Sequence, residues 1–564
     1  MKKRVINFTI YKKRSSTIKT PIYMLKEPFT DEMQRIRYGE MSDNSREFAY
    51  ALECLSSVKS KTSSFKADNY INISKSSNPF FTRYIFSKKS PSLGVILTNI
   101  DFNRIKKHKN GEPIFWQMGP KRRSFALAQR AHFFDNNHNQ EIYDEIENLE
   151  KGKTKILPRA NHRSRAIEYA LGINKKGQTA ILTPALTEIG YKKISSDNLL
   201  SRRVIVNSGL FNIIGKYPRK IIGLGAMPPV TGWVDTLVTS AVGHMLSFIP
   251  RNSYFALNIK IRIDLGLKAK ETIERLPIPS IWKTKVFRNI GASLGAEDPS
   301  NELKIAEKLF KSAGVKAFRI YTIGSDSRVI ETAKFLRQKF GKDIEIFVGQ
   351  IADKKQAEKL ISKDIAVDGL IFGHGGGQQC TSAINGMAIT TLEDVYQITQ
   401  DDNFNKTSIL LEGGVGRSIG TALIIGADCV LCNQKLVRGT IETGDLFLEN
   451  KSSKFCQPYP GSASPVTQII ESKNEEIRKR RIDAAGRTYY TEGKPGMMYY
   501  EEKACSMAFW INEYLRHAAR TLADIGVSNI SQLRLLLAEN KYEFLRIMSE
   551  KTQYLSDAHG NFNI

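Results

Sequence analysis

From about residue 215 onward, short apolar runs alternate with amphipathic segments, whereas the first 175 residues hold no clean period of either kind. The runs are KIIGLGA (220–226), HMLSFIP (244–250), VFRNIGASLG (286–295), AFRIYTI (317–323), IEIFVG (344–349), GLIFGHG (369–375), SILLEGG (408–414) and CVLCN (429–433). Between them, SNELKIAEKLFKSAG (300–314), SRVIETAKFLRQKFG (327–341) and KKQAEKLISK (354–363) repeat apolar residues at spacings of three and four, which predicts helices. This alternation predicts repeated β–α units, and eight strands close a parallel barrel. The expected fold class is therefore α/β, a (β/α)8 TIM barrel with an additional N-terminal α+β region. Glycines cluster just beyond the strand ends, where such a barrel places its chemistry.

The expected organisation is an N-terminal region of unassigned fold over 1–178, the barrel over 179–540 and a C-terminal tail over 541–564. SSVKSKTSS (56–64) and FFDNNHNQE (133–141) interrupt the N-terminal region, and NQEIYDEIENLEKGK (139–153) reads as a solvated acidic helix.

With 564 residues, 41% of them apolar, the chain is long enough for a closed core and more than one domain. Its six cysteines include one close pair, CVLC at 429–432, with no second pair and no histidine at finger spacing, which argues against a zinc ribbon. In the apolar run ADCVLC those two thiols are expected to pack against a buried strand. The formal charge of +27 attracts polyanions or acidic surfaces without identifying one. RIKKHK (104–109), KRR (121–123) and RKRR (478–481) are dense enough to engage a nucleic-acid or protein partner as well as to sit solvated. No run approaches a membrane span, so the expected location is cytoplasmic with no membrane contact; the basic, serine-containing start leaves organellar import open.

The densest chemistry lies in GHGGGQQCTSA (373–383), on the loop after the sixth expected strand. Glycines there let a ligand or cation approach the main chain. Cys380 becomes a nucleophile if nearby positive charge or backbone donors lower its pKa. EGGVGRS (412–418) and NQK (433–435) follow strands seven and eight, the pair of loops that commonly holds a phosphate at a barrel mouth.

These residues resemble the inosine monophosphate dehydrogenase and guanosine monophosphate reductase family over roughly 215–533. The resemblance is carried in order by GASLGAEDPSNELKIAEKLFKSAGV (291–315), FVGQIADKKQAEKLI (347–361), GHGGGQQC, EGGVGRSIGTALIIGADCVL (412–431), KFCQPYPGSAS (454–464), RTYYTEGKPG (487–496) and RHAARTLADIGVSNISQLR (516–534). It implies attack by Cys380 on a purine C2, with hydride exchanged with NAD(P)H. Ser382 matches the hydroxyl two residues after the nucleophile, and Glu492 the acidic partner in a short flap at 487–496. The resemblance places Glu412 at the ribose-binding aspartate's position and gives Gly377, Gln378, Gly413, Gly414, Asn433, Gln434 and Tyr459 to the substrate. Tyr321, Gly349 and Gln350 fall to the cofactor. Main-chain groups of Gly375, Gly377 and Cys380 are the implied K+ site, and a homotetramer is the implied assembly.

Two features favour the reductase branch. Only residues 251–285 separate strands two and three, where many of the dehydrogenases carry a regulatory insertion, and the flap offers Arg487 with Tyr489 or Tyr490 rather than a matched arginine–tyrosine pair. The chain also departs from the family: Gln378 stands at a phosphate-binding serine, Asn433-Gln434 at a pair of small residues, and Tyr321 at the aspartate near nicotinamide. The reading is thus a purine-nucleotide or modified-purine oxidoreductase, closer to GMP reductase. The alternative is a catalytically inactive barrel that binds a nucleotide, nucleic acid or protein.

Overall fold

A computed structural model of the chain describes residues 115–116, 136–159, 161–176, 181–195, 205, 210–251, 259–276, 278–321, 327–351, 353–373, 392–413, 418–437, 440, 442, 446–448, 455–459, 496–499 and 506–548. All eight expected runs contain strands. They are β1 (Ile222–Gly223), β2 (Ser247–Ile249), β3 (Ile290–Leu294), β4 (Ala317–Tyr321), β5 (Glu345–Gly349), β6 (Gly369–Phe372), β7 (Ser408–Glu412) and β8 (Cys429–Leu431). They pair in parallel in chain order from β2 to β8, and β8 pairs with β1. Between β1 and β2 the chain is linked by the Leu224 N–H donating to the Leu246 carbonyl and the Lys220 N–H to the His244 carbonyl, each at 2.8 Å. The result is a near-closed barrel.

Helices follow the strands as the period predicts. Pro299–Ala313, after β3, starts where the Asp298 side chain accepts from the Asn301 N–H, and stops at Gly314, whose φ of 74° an L side chain adopts only at a cost. Lys354–Leu360, after β5, is capped in the same way by Asp353. Alternation along each strand then sorts the side chains. Phe318 and Ile320 of β4 join the layer between sheet and helices, with Leu309, Val329 and Leu336. Ala317, Phe347, Ile371, Leu410 and Leu431 point inward and form a second apolar cluster with Phe248. Burying each such large side chain contributes about 1.5–3 kcal/mol.

Charge lies below that inner layer. The hairpin Phe211–Ile214 and Tyr217–Lys220 precedes β1, and from it the fully buried Arg219 reaches Glu345 at the start of β5. Its Nη1 and Nη2 donate to Glu345 Oε1 and Oε2 at 2.8 and 2.7 Å, and its remaining N–H groups meet Asn289 Oδ1 and the carbonyls of Ile214 and Arg288. This floor pair is fully hydrogen-bonded.

The acidic segment near residue 140 differs from its expectation. Asn136–Glu150 is a helix, but Ile142, Tyr143, Ile146 and Leu149 are buried against Phe211 and Trp282, with Tyr143 stacked on Trp282 at 3.9 Å. Its polar face alone is solvated; residues three and four apart carry a docked stripe that the density of acids conceals. Farther along, Ile181–Pro184 pairs antiparallel with Leu545–Met548. Phe115–Trp116, Leu446–Leu448, Phe455–Tyr459 and Gly496–Tyr499 form a second, antiparallel sheet. Among the described residues no helix is long and apolar enough to cross a membrane.

Candidate functional site at the barrel mouth

Strand alternation that puts Ala317 inside the barrel also puts Arg319 and Tyr321 inside, one and two steps nearer the C-terminal mouth. In β7 the same rule turns Leu410 and Glu412 inward. β4 and β7 are not neighbours in the sheet, yet closure brings Arg319 and Glu412 together across the interior. Arg319 Nη1 donates to Glu412 Oε1 at 3.2 Å and Nη2 to Oε2 at 2.5 Å, with both residues buried. This is the two-pronged geometry in which a guanidinium binds a carboxylate most strongly.

Two amides complete the cluster. Asn433, just past β8, donates from Nδ2 to Glu412 Oε1 at 2.8 Å and accepts the Gly225 N–H at 2.6 Å. Gln350, just past β5, reaches Glu412 Oε2 from Nε2 at 3.4 Å. Burial alone would raise the Glu412 carboxyl, but Arg319 and the hydrogen bonds of Asn433 and Gln350 hold it below the usual carboxylate range. The close packing depends on glycine: a Cβ at Gly225 would lie 1.8 Å from Glu412 Oε1, and one at Gly373, where φ is 112°, would lie 1.7 Å from the Glu412 carbonyl oxygen.

The mouth pair differs from the floor pair in one respect. Arg319 Nε and Gln350 Oε1 are buried without a hydrogen-bond partner, a donor and an acceptor left over after Glu412 is satisfied. Buried polar atoms of this kind are uncommon and mark places where a ligand or strain is accommodated. Tyr321 lies beside them, its ring 4.5 Å from Arg319 Cζ and 5.7 Å from Cζ of Arg251, which follows β2. Two guanidiniums thus lie against one aromatic ring, Arg319 paired with Glu412 and Arg251 3.8 Å from Glu297.

A second polar group sits at the ends of β2 and β3. Arg262 donates from Nη2 to the Ser293 carbonyl, and burial pulls its guanidinium down to about 10. Burial likewise raises the Glu302 carboxyl, while the Gly295 N–H, Arg262 and Arg251 act in the opposite direction.

Of the expected site residues, Tyr321, Gly349, Gln350, Glu412, Gly413 and Asn433 all lie at strand ends around this one mouth. Gln434 is in the short helix Asn433–Leu436, and Tyr459 ends a strand in register with Gly496. Gly375, Gly377, Gln378, Cys380, Ser382, Gly414 and Glu492 lie outside the described residues. Arg319 was not among the expected residues. Its signal was an arginine in the apolar run AFRIYTI, two positions before Tyr321 and so on the same strand face. The CVLC thiols pack as expected: Cys429 and Cys432 are buried, and burial pushes Cys432 up to about 12 and Cys429 well above its usual range. Neither can supply a thiolate near neutral pH. Among the described residues no group of three His, Cys, Asp or Glu is placed to hold a metal ion.

The family model described as "IMP dehydrogenase / GMP reductase domain" matches residues 126–559. An inosine-5'-monophosphate dehydrogenase of Methanocaldococcus jannaschii is 32% identical over 141 residues, covering 24% of this chain and 28% of that protein. An inosine-5'-monophosphate dehydrogenase of Rhodopirellula baltica is 24% identical over 287 residues, 48% of this chain and 50% of that protein. The chain thus spans half or less of the length of these curated relatives.

Proposed function

The chain belongs to the IMP dehydrogenase / GMP reductase family, and on that premise we propose that it is an oxidoreductase acting at C2 of a purine, nearer in chemistry to the reductase. The observation that carries this reading is the polar cluster at the mouth, where Arg319, Tyr321, Gln350, Glu412 and Asn433 converge from β4, β5, β7 and β8. On this reading Cys380, on the loop following β6, adds its thiolate to C2. Glu492 gives a proton to the 2-amino group, which leaves as ammonia, and the purine stays bound through a C–S bond. NAD(P)H, when bound, supplies a hydride to C2. The C–S bond then breaks with its electron pair returning to Cys380, and Ser382 assists proton transfer at the nucleophile.

The residues at the mouth fit a nicotinamide at the ends of β4 and β5. Gln350 Oε1 is an acceptor and Arg319 Nε a donor, both buried and unpartnered, and together they suit a carboxamide. Tyr321 offers a ring face beside them. The phosphate of a nucleotide would lie toward Gly377, Gln378, Gly413, Gly414, Gln434 and Tyr459, with K+ held by main-chain groups of Gly375, Gly377 and Cys380. Residues 1–178 precede a barrel at 179–540, onto which Asn136–Glu150 docks, the protein acts as a homotetramer in the cytoplasm, and its basic runs contact a nucleic-acid or protein partner.

The second reading is a barrel that binds without turnover, favoured by the pairing of Glu412 within the protein. Intact-mass measurement separates the two. Wild type incubated with 2-amino-6-oxopurine compounds should gain the mass of one purine less the ammonia it releases, and Cys380→Ser none. Ligand binding with neither adduct nor turnover supports the second reading.

A further inference from the structure

We infer that Arg319 is a specificity-determining residue that closes the floor of the mouth to a ribose cis-diol, so that the purines admitted are recognised without one. The inference rests on the purine reading of this mouth and concerns which purines it takes. A carboxylate has about four acceptor positions. On Glu412, Arg319 takes two, Asn433 a third and Gln350 a fourth, at 3.2, 2.5, 2.8 and 3.4 Å. The neighbouring Gly225 N–H, two residues past β1, is itself engaged by Asn433 Oδ1.

A diol brings two neutral O–H donors. To reach Glu412 it would have to displace Arg319, leaving a guanidinium buried and unpaired, or displace Asn433, freeing both its amide and the Gly225 N–H. Neutral donors do not compensate a buried charge. At the opposite end the Arg219–Glu345 couple is likewise a buried, fully paired arginine–glutamate contact. The mouth pair is such a contact set where the ligand enters. Purines lacking the diol, as free bases or deoxynucleotides, lose nothing by this arrangement.

The test compares binding of GMP and 2'-deoxy-GMP by calorimetry to wild type, Arg319→Met and Arg319→Gln, each checked for a cooperative melt. Wild type should bind the two nucleotides within about threefold, because the diol gains no contact. Arg319→Met, with Glu412 freed, should prefer GMP by tenfold or more, and Arg319→Gln should fall between. A wild-type preference for GMP of tenfold or more that Glu412→Gln abolishes would overturn this inference and leave the purine reading standing. Failure of the wild type and both variants to bind any purine would overturn the two together.

Discussion

Replacing Arg319 with methionine keeps much of the side-chain volume while removing the charge that balances Glu412 inside the barrel. The carboxylate would keep Asn433 at 2.8 Å and Gln350 at 3.4 Å but lose both bonds to the guanidinium. Removing one partner of a buried pair typically costs about 3–5 kcal/mol, because the other charge stays desolvated. For a chain of this size that is a fall of about 3–4 °C in the melting midpoint. The pH dependence gives a sharper signature. In wild type the Glu412 carboxyl lies below the ordinary range, so its contribution is present above the unfolded-state pKa and lost as pH falls through the folded one. Without Arg319, burial dominates and raises the carboxyl; its cost is then present at neutral pH and relieved as protonation sets in. The destabilisation of Arg319→Met relative to wild type should therefore shrink between pH 7 and about pH 5. Urea denaturation followed by tryptophan fluorescence at both pH values measures it. A loss under about 1 kcal/mol, or one equal at the two pH values, would refute the claim that Arg319 neutralises a buried Glu412.

Other substitutions probe separate parts of the account. Gly225→Ala drives a Cβ to 1.8 Å from Glu412 Oε1 and should displace the mouth cluster, weakening purine binding at least tenfold by calorimetry while the protein stays folded by circular dichroism. Arg219→Met should cost a similar 3–5 kcal/mol in denaturant but leave the GMP to deoxy-GMP ratio unchanged, since every bond it breaks lies at the opposite end of the barrel from the mouth. Lys220 is buried under the Phe211 ring, and burial draws its ammonium down to about 7. The folded state thus gives up a proton that the unfolded state retains, and stability should rise from about pH 7 toward pH 10. Lys220→Met should flatten that rise in denaturation midpoints, and an unchanged slope would place the titration elsewhere. Cys429 and Cys432 should resist maleimide labelling in the native protein, and Cys429→Ala with Cys432→Ala should retain turnover.

The eight strands were legible because each is a short apolar run set between helical periods, and the caps at Asp298 and Asp353 are local signals as well. The expectations for Glu412 and Asn433 came from the family resemblance, at the ends of the seventh and eighth runs. Arg319 was harder to read. Its partner lies 93 positions away on a strand three along in the sheet, and only barrel closure sets the two face to face. Read along the sequence, AFRIYTI shows an arginine among apolar residues; its meaning depends on the inward register it shares with Ala317 and Tyr321. The helix Asn136–Glu150 misled for a related reason, since its acids are conspicuous and its buried stripe at Ile142, Ile146 and Leu149 is spread over about two turns.

Cysteine-dependent redox chemistry of this barrel on a purine is decided by the absorbance of the reduced dinucleotide with purine bases, deoxynucleotides and ribonucleotides, in wild type and Cys380→Ser, alongside the mass of the protein. Wild type should oxidise NAD(P)H in a purine-dependent reaction that releases ammonia, and Cys380→Ser should not. Oxidation at the same rate in both proteins, or tight purine binding with no change in absorbance and no adduct, would contradict it.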